Sequence, residues 1–267
     1  MSFPSDLDIA RAATLTSLTD IATAAGIPPD LLEPFGTGAA KIDLDAIDAM
    51  ADRPMAKYVI VSAITPTPLG EGKTTVAVGL GQGFRHIGRD ATVALRQPSM
   101  GPTFGIKGGA AGGGYSQVVP METLNLHLTG DMHAVTAATN MCAAALDAHL
   151  FHGNALGLDP HAITWRRALD VNDRSLRNTV IGLGGRLDGV PRESGFDITA
   201  ASEVMAALAL ATGLQDLRRR MGRIVVGYTA AGDPVTAEDL DVAGAMTVIL
   251  MEAIKPNLMQ TIENTPV

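Results

Sequence analysis

Residues 57–64, Lys-Tyr-Val-Ile-Val-Ser-Ala-Ile, run directly into Thr-Pro-Thr-Pro-Leu-Gly-Glu-Gly-Lys-Thr at 65–74. The first run is β-branched and almost continuously apolar, the pattern of a strand buried on both faces. The second is a Pro/Gly loop. Residues 73–86 follow with helical character, and Gly88 is placed to end them. Ala91 to Leu95 reads as a second short strand. Strand, loop, helix and strand in that order form a βαβ unit, which favours a parallel sheet. The expectation is an α/β fold whose mostly parallel sheet is flanked by helices.

The loop carries the chemistry. Thr67-Pro68-Leu69-Gly70-Glu71-Gly72-Lys73-Thr74 follows the spacing of a phosphate loop, with Thr67 where the first glycine would stand. Gly70 and Gly72 let backbone approach a ligand closely. Neighbouring N–H groups and the helix start then attract phosphate. Lys73 would reach the β/γ phosphates as a point charge, and the Thr74 hydroxyl would sit on Mg²⁺. The competing reading is a plain turn with a lysine at a helix start. A cation there opposes the helix dipole, so a bland turn should avoid it. The fold expected is therefore P-loop NTPase-like, and the implied ligand is a nucleoside triphosphate.

Around this unit the pattern stays mixed. Residues 1–50 read as a helical lead-in: Ser5 and Asp6 cap a helix to about Ala25, Gly26 ends it, and Pro28-Pro29-Asp30 opens a second helix stopped by Gly36. The βαβ unit occupies 57–95. Residues 96–130 form a glycine-dense region, apolar enough to pack and long enough to read as functional. Residues 131–267 return to α/β. Ala134 to Phe151 is a buried Ala-rich helix, not a bilayer span. Ala201 to Met221 is a helix with Arg218, Arg219 and Arg220 in its last turn. Arg223 to Thr229 is a strand, Gly232-Asp233-Pro234 a turn, Thr236 a helix start, and Leu258 to Ile262 a last strand with no following helix to cover it. An uncovered apolar strand is an association hazard.

Composition excludes several classes. The 267 residues carry 20 basic and 28 acidic side chains, a net charge of -8. With pI ≈ 5.2 and 4% aromatics, the chain suits neither phosphate-backbone binding nor base stacking. One cysteine, Cys142, precludes a disulfide scaffold and fits a reducing cytoplasm. Neither a targeting segment nor a membrane span is evident.

The string Arg96-Gln97-Pro98-Ser99-Met100-Gly101-Pro102-Thr103-Phe104-Gly105-Ile106-Lys107-Gly108-Gly109-Ala110-Ala111-Gly112-Gly113-Gly114-Tyr115 closely resembles the formate–tetrahydrofolate ligase family. So does 65–75, including the threonine at 67. The resemblance extends through Asn125 to His133, Ile163 to Arg167, Phe196 to Glu203 and Ala253 to Thr261. It implies ATP-dependent joining of formate to tetrahydrofolate through formyl phosphate. ATP with Mg²⁺ and a monovalent cation are the implied cofactors, and the family forms homotetramers. Family members run to roughly twice this length, so the chain matches their N-terminal half. The folate-stacking aromatics lie in the part without a counterpart here, which implies weak tetrahydrofolate binding. A complementary C-terminal half is then an expected partner.

Further candidates follow. Arg96 falls at the end of the second strand, where α/β sheets bind ligands, and its planar fork suits a carboxylate or acyl phosphate. A surface ion pair is the alternative; the resemblance supports the ligand role. Gln97 stands where many members carry Glu and others Gln. Lys107 would add positive charge beside Gly108 and Gly109, which permit close backbone approach. His127, Asp131 and His133 read as a metal set, as hydrogen-bonding residues of an active-site wall, or as structural residues. Cys142, in the Ala-rich helix, reads as buried and inert. A phosphate-loop NTPase switch or partner module is the competing function. A half that is inactive alone is the third reading.

Overall fold

A computed structural model describes residues 3–64, 72–100 and 111–267. The chain forms two compact units, one of Met1–Thr129 with Lys255–Val267 and the other of Gly130–Ile254. In chain order the first unit has helices α1 (Asp6–Ala12) and α2 (Leu18–Ala25), strands β1 (Leu32–Phe35) and β2 (Ala39–Ile42), and helices α3 (Ala46–Ala49) and α4 (Lys73–His86). Strands β3 (Gly112–Gly113) and β4 (Ser116–Val119) and helix α5 (Met121–Asn125) follow. The second unit has α6 (Asp131–Phe151), β5 (Leu158–Ile163), β6 (Arg167–Leu169), β7 (Thr179–Ile181), β8 (Arg192–Ser194) and β9 (Phe196–Ile198). It continues with α7 (Glu203–Ala209), α8 (Leu214–Gly222), β10 (Val225–Thr229), β11 (Pro234–Thr236) and α9 (Ala243–Ile249). The chain then re-enters the first unit as β12 (Asn257–Leu258) and β13 (Gln260–Thr261).

The fold is mixed α/β, built from small sheets. Among the described residues the sheet differs from the mostly parallel one expected. Only β6 and β9 pair in parallel; every other ladder is antiparallel. The 57–64 run forms no strand, and Val59, Ile60 and Ile64 are exposed. A strand exists through its ladder, and an apolar run without a hydrogen-bonding neighbour does not become one. Residues 91–95 form no strand either, although the Val93 N–H donates to the Pro266 carbonyl at 2.9 Å.

Other differences are local. The 5–25 helix is two helices. Ser5 and Asp8 form a reciprocal capping box on α1, and Ser17 caps α2 afresh. Gly26 ends α2 in the left-handed conformation as expected. Gly36 turns the β1–β2 hairpin and does not end a helix. The 201–221 helix is broken at 210–213, because Asp216 Oδ2 accepts the Thr212 N–H at 3.1 Å and starts α8 anew. Thr236 and Asp239 exchange cap-like hydrogen bonds, but Asp241 adopts positive φ and the turn stops before a helix forms. The last strand is covered, contrary to expectation. Leu258, Met259, Gln260 and Thr261 are buried, with β12 on β2 and β13 on β4.

Among its described residues, two apolar clusters hold the first unit. One joins Val78 of α4, Val118 of β4, Leu124, Leu128 and Met259; the other joins Ile21, Ala22, Ala40 and Leu258. The second unit has one core. Helix α6 presents Val135, Ala138, Cys142, Leu146 and Leu150 on one stripe to Leu217, Met221, Val226 and Met246. Each large buried side chain here contributes about 1.5–3 kcal/mol. The single tryptophan, Trp165, donates from Nε1 to the Thr139 carbonyl at 3.0 Å. Among the described residues no helix is long and apolar enough to cross a membrane.

Candidate functional site

Helix α4 begins without a side-chain cap and without an acidic residue in its first turn. Gly72 occupies the N-cap position at φ 68°, a left-handed conformation that β-carbon-bearing residues rarely adopt. The first intrahelical bond runs from the Val76 N–H to the Gly72 carbonyl at 2.9 Å. The N–H groups of the preceding turn therefore have no acceptor within the helix. Gly72 and Lys73 are exposed, while Thr74 and Thr75 are half-buried. The positive end of the dipole, a lysine and two hydroxyls thus occupy one turn.

A glycine hairpin lies against this helix start. Gly112 at φ 108° tolerates no β-carbon, which would overlap the Ser116 carbonyl oxygen. A β-carbon on Gly113 would stand 3.8 Å from Thr75 Oγ1. Along α4, Gly79 and Gly81 form a bare face. A β-carbon on Gly79 would lie 2.7 Å from Ser116 Oγ, and one on Gly81 would overlap Val93 Cγ2. Both glycines cost helix propensity, about 1 kcal/mol each, and allow β4 and the 91–95 segment to close onto the helix.

Polar side chains clamp the hairpin. The Gly114 N–H donates to Asp6 Oδ1 at 2.8 Å. Gln117 Nε2 donates to the carbonyls of Gly114 at 2.6 Å and Asp6 at 3.0 Å. Gln82 Nε2 donates to the Tyr115 carbonyl at 3.1 Å. Asn125 Oδ1 accepts the Ala111 N–H at 3.1 Å. The sequence reading missed Asp6, Gln82, Gln117 and Asn125 in this supporting role. Gln82 between Gly81 and Gly83, and Gln117 at the head of Val118-Val119, were the available signal.

Of the expected site residues, Thr67, Pro68, Leu69, Gly70, Glu71, Lys107, Gly108 and Gly109 lie outside the described residues. Arg96 is exposed. Gln97 is half-buried, yet both its amide atoms are shielded from solvent and unpaired. His127 is exposed and belongs to the first unit. Asp131 and His133 open α6 in the second. Among the described residues, no three His, Cys, Asp or Glu side chains are grouped so as to hold a metal. The Cys142 thiol is buried, and desolvation, with a smaller effect from Glu203, pushes its pKa up to about 12. It is no nucleophile at neutral pH. The arginine triplet of α8 is taken up by ion pairs: Arg218 with Glu238, and Arg219 and Arg220 with Asp216. These hold the carboxyls of Asp216 and Glu238 below the usual range, chiefly through the Arg220 and Arg218 hydrogen bonds.

Comparison with known proteins gives one consistent match. The family model described as "Formate--tetrahydrofolate ligase" matches residues 4–267. A relative of that name from Saccharopolyspora erythraea is 73% identical over 267 residues, covering 100% of this chain and 47% of the relative. "Formate--tetrahydrofolate ligase 1" of Rubrobacter xylanophilus is 68% identical over 263 residues, covering 98% and 46%. A relative from Cutibacterium acnes is 64% identical over 263 residues, covering 98% and 47%. The chain spans about half the length of the curated relatives it matches.

Proposed function

The chain belongs to the formate–tetrahydrofolate ligase family, and we propose that it supplies the ATP and formyl-phosphate site for joining formate to tetrahydrofolate. The observation that carries this reading is the uncapped, acid-free start of α4 at Gly72–Lys73 with the glycine hairpin packed on it. In this reading residues 67–74 form a phosphate loop. Their amides and the α4 start cradle the triphosphate, and Lys73 neutralises charge on its β/γ oxygens. The half-buried Thr74 hydroxyl fits an ion held through the nucleotide; Mg²⁺ there would neutralise the phosphate oxygens.

The chemistry asked of the protein is positioning and charge neutralisation. A formate oxygen attacks the γ-phosphorus, the bond to ADP breaks, and formyl phosphate forms. The folate N10 amine then attacks the formyl carbon and phosphate leaves. Arg96 would hold the carboxylate or acyl phosphate in its planar fork. Gln97, with its shielded, unpaired amide, supports a wall that becomes paired on ligand binding. Lys107, Gly108, Gly109, His127, Asp131 and His133 are further wall candidates. A monovalent cation, a homotetramer and a cytoplasmic location are part of the same reading. Tetrahydrofolate binding by this chain alone is expected to be weak.

A coupled assay tests the proposal. ADP release should depend on formate, and 10-formyltetrahydrofolate should form when the remaining half of a relative is supplied in trans. ATP turnover equal with and without formate would favour the NTPase-switch reading. ATP binding without product under both conditions would favour a non-catalytic half.

A further inference from the structure

In the second unit a single carboxylate serves two arginines. Asp147 of α6 takes Arg167 Nη2 on Oδ2 at 2.7 Å, and Arg192 Nη2 and Nε on Oδ1 at 2.8 and 3.2 Å. The Arg192 side chain is 4% exposed, that of Arg167 24% and that of Asp147 26%. Arg192 Nη1 is used by the Glu193 carbonyl at 3.3 Å. Two guanidinium groups against one carboxylate leave a surplus positive charge, largely sheltered, in a chain whose overall charge is -8. Uncompensated charge in such a place is costly.

Unpaired polar atoms occur on the strands that carry these arginines and on the strand paired with one of them. Arg167 Nη1 is shielded from solvent and has no acceptor. Ser194 Oγ and Thr179 Oγ1 are likewise shielded and unpaired. Thr179 stands directly opposite Ser194 in the β7–β8 ladder, so their side chains share a face. Arg192 and Ser194 are two apart on β8 and share that face too, with Glu193 pointing to solvent between them. The Arg167 N–H donates to the carbonyl of Gly195, the residue after Ser194, at 3.1 Å. One guanidinium nitrogen and two hydroxyls therefore lack partners beside a net cationic junction. Buried polar atoms are rarely left so in folded proteins.

We propose that the Asp147–Arg167–Arg192 junction, with the hydroxyls of Ser194 and Thr179, binds a small oxyanion, a phosphoryl group or a carboxylate. The anion balances the second arginine and accepts from all three orphaned donors, with charge-assisted geometry suited to a guanidinium. This site is separate in residues and in purpose from the nucleotide loop, and it stands whether or not the ligase reading does.

The test uses the whole chain carrying Lys73→Ala, which weakens phosphate binding at the proposed nucleotide loop, and the hydroxyl variants below assign what binding remains. Inorganic phosphate and acetate are titrated by calorimetry and by thermal melting. One of them should bind saturably and raise the melting temperature; the tighter of the two identifies the source of the anion. Ser194→Ala and Thr179→Val should each weaken binding about tenfold, the loss expected for one hydrogen bond to a charged group. Both variants should fold as well as the parent without anion, since they remove hydroxyls that have no partner. Absence of binding by both anions, or binding unchanged in both variants, would overturn the proposal.

Discussion

The amide of Gly114 is held by the side chain of Asp6, 108 residues earlier, at 2.8 Å. The first helix of the chain thus braces the glycine hairpin beside the start of α4. Asp6→Ala should loosen that hairpin at a cost of about 0.5–1.5 kcal/mol. On the proposed function nucleotide affinity should fall several-fold, since the hairpin backs the helix start. Asp6→Asn keeps an acceptor oxygen and should restore most of both. Thermal melts and ATP titrations of the two variants check this.

Lys73→Ala should separate binding from stability. On the proposed reading it lowers ATP affinity tenfold or more. Its effect on folding should be smaller than its effect on binding, because a lysine at a helix N-terminus gains nothing from the dipole. Calorimetric ATP titration beside chemical denaturation reads the two effects independently. A large loss of stability with unchanged ATP affinity would contradict the role assigned to this residue.

Gly81→Ala should destabilise the first unit by about 1–3 kcal/mol through overpacking against Val93. Val93→Ala opens the space that the new methyl needs, so the double variant should be more stable than the sum of the single changes predicts. A double-mutant cycle by urea denaturation measures the coupling. Additive effects would mean that the helix shifts as a body and Val93 is not the obstacle.

Cys142 makes a pH prediction. Its unfolded thiol titrates near 9.0, and burial raises the folded value to about 12. The native state therefore keeps a proton that the unfolded chain releases. Stability from this group is complete below pH 9 and declines as pH rises from 9 towards 12. Compared with the parent, Cys142→Ala should show a shallower alkaline decline. It should cost roughly 1 kcal/mol at neutral pH for the lost packing. Iodoacetamide should not modify the native thiol at pH 8 on a timescale on which the unfolded chain reacts fully.

The exposed run at 57–64 should drive association. Val59 and Ile60 are 58% and 74% exposed, a surface better suited to a partner than to water. Val59→Lys with Ile60→Lys should lower the concentration-dependent light scattering of the chain. Scattering unchanged by both charges would locate any association elsewhere.

Short-range chemistry was legible in the sequence; long-range pairing was not. The 73–86 helix, the Gly26 stop, the Ser5 cap and the buried 134–151 helix follow from residues close in sequence. The 57–64 run has the apolar content of a central strand, but content does not supply a ladder partner. The breaks at 13–17 and 210–213 depend on Ser17 and Asp216 winning backbone N–H groups that a continuous helix would have used. At the candidate site, the start of α4 at Gly72–Lys73 was readable because glycine and lysine adjoin at the head of a helical stretch. Asp6 was read as a helix cap, and nothing within 100 residues of it announces the hairpin that it supports.

The return of residues 255–267 to the first unit sets an order of assembly during synthesis. Gln260 bonds both the N–H and the carbonyl of Thr16, and Lys41 reaches the Lys255 carbonyl. A ribosome must therefore add all of Gly130–Ile254 before the early residues can finish their own core. At roughly 5–20 residues per second that is a wait of about ten seconds. Through it Ile21, Ala22 and Ala40 lack Leu258, the side chain that closes their cluster. The segment begun second is contiguous and can fold first. The first unit is the one whose apolar surface stays open while it waits.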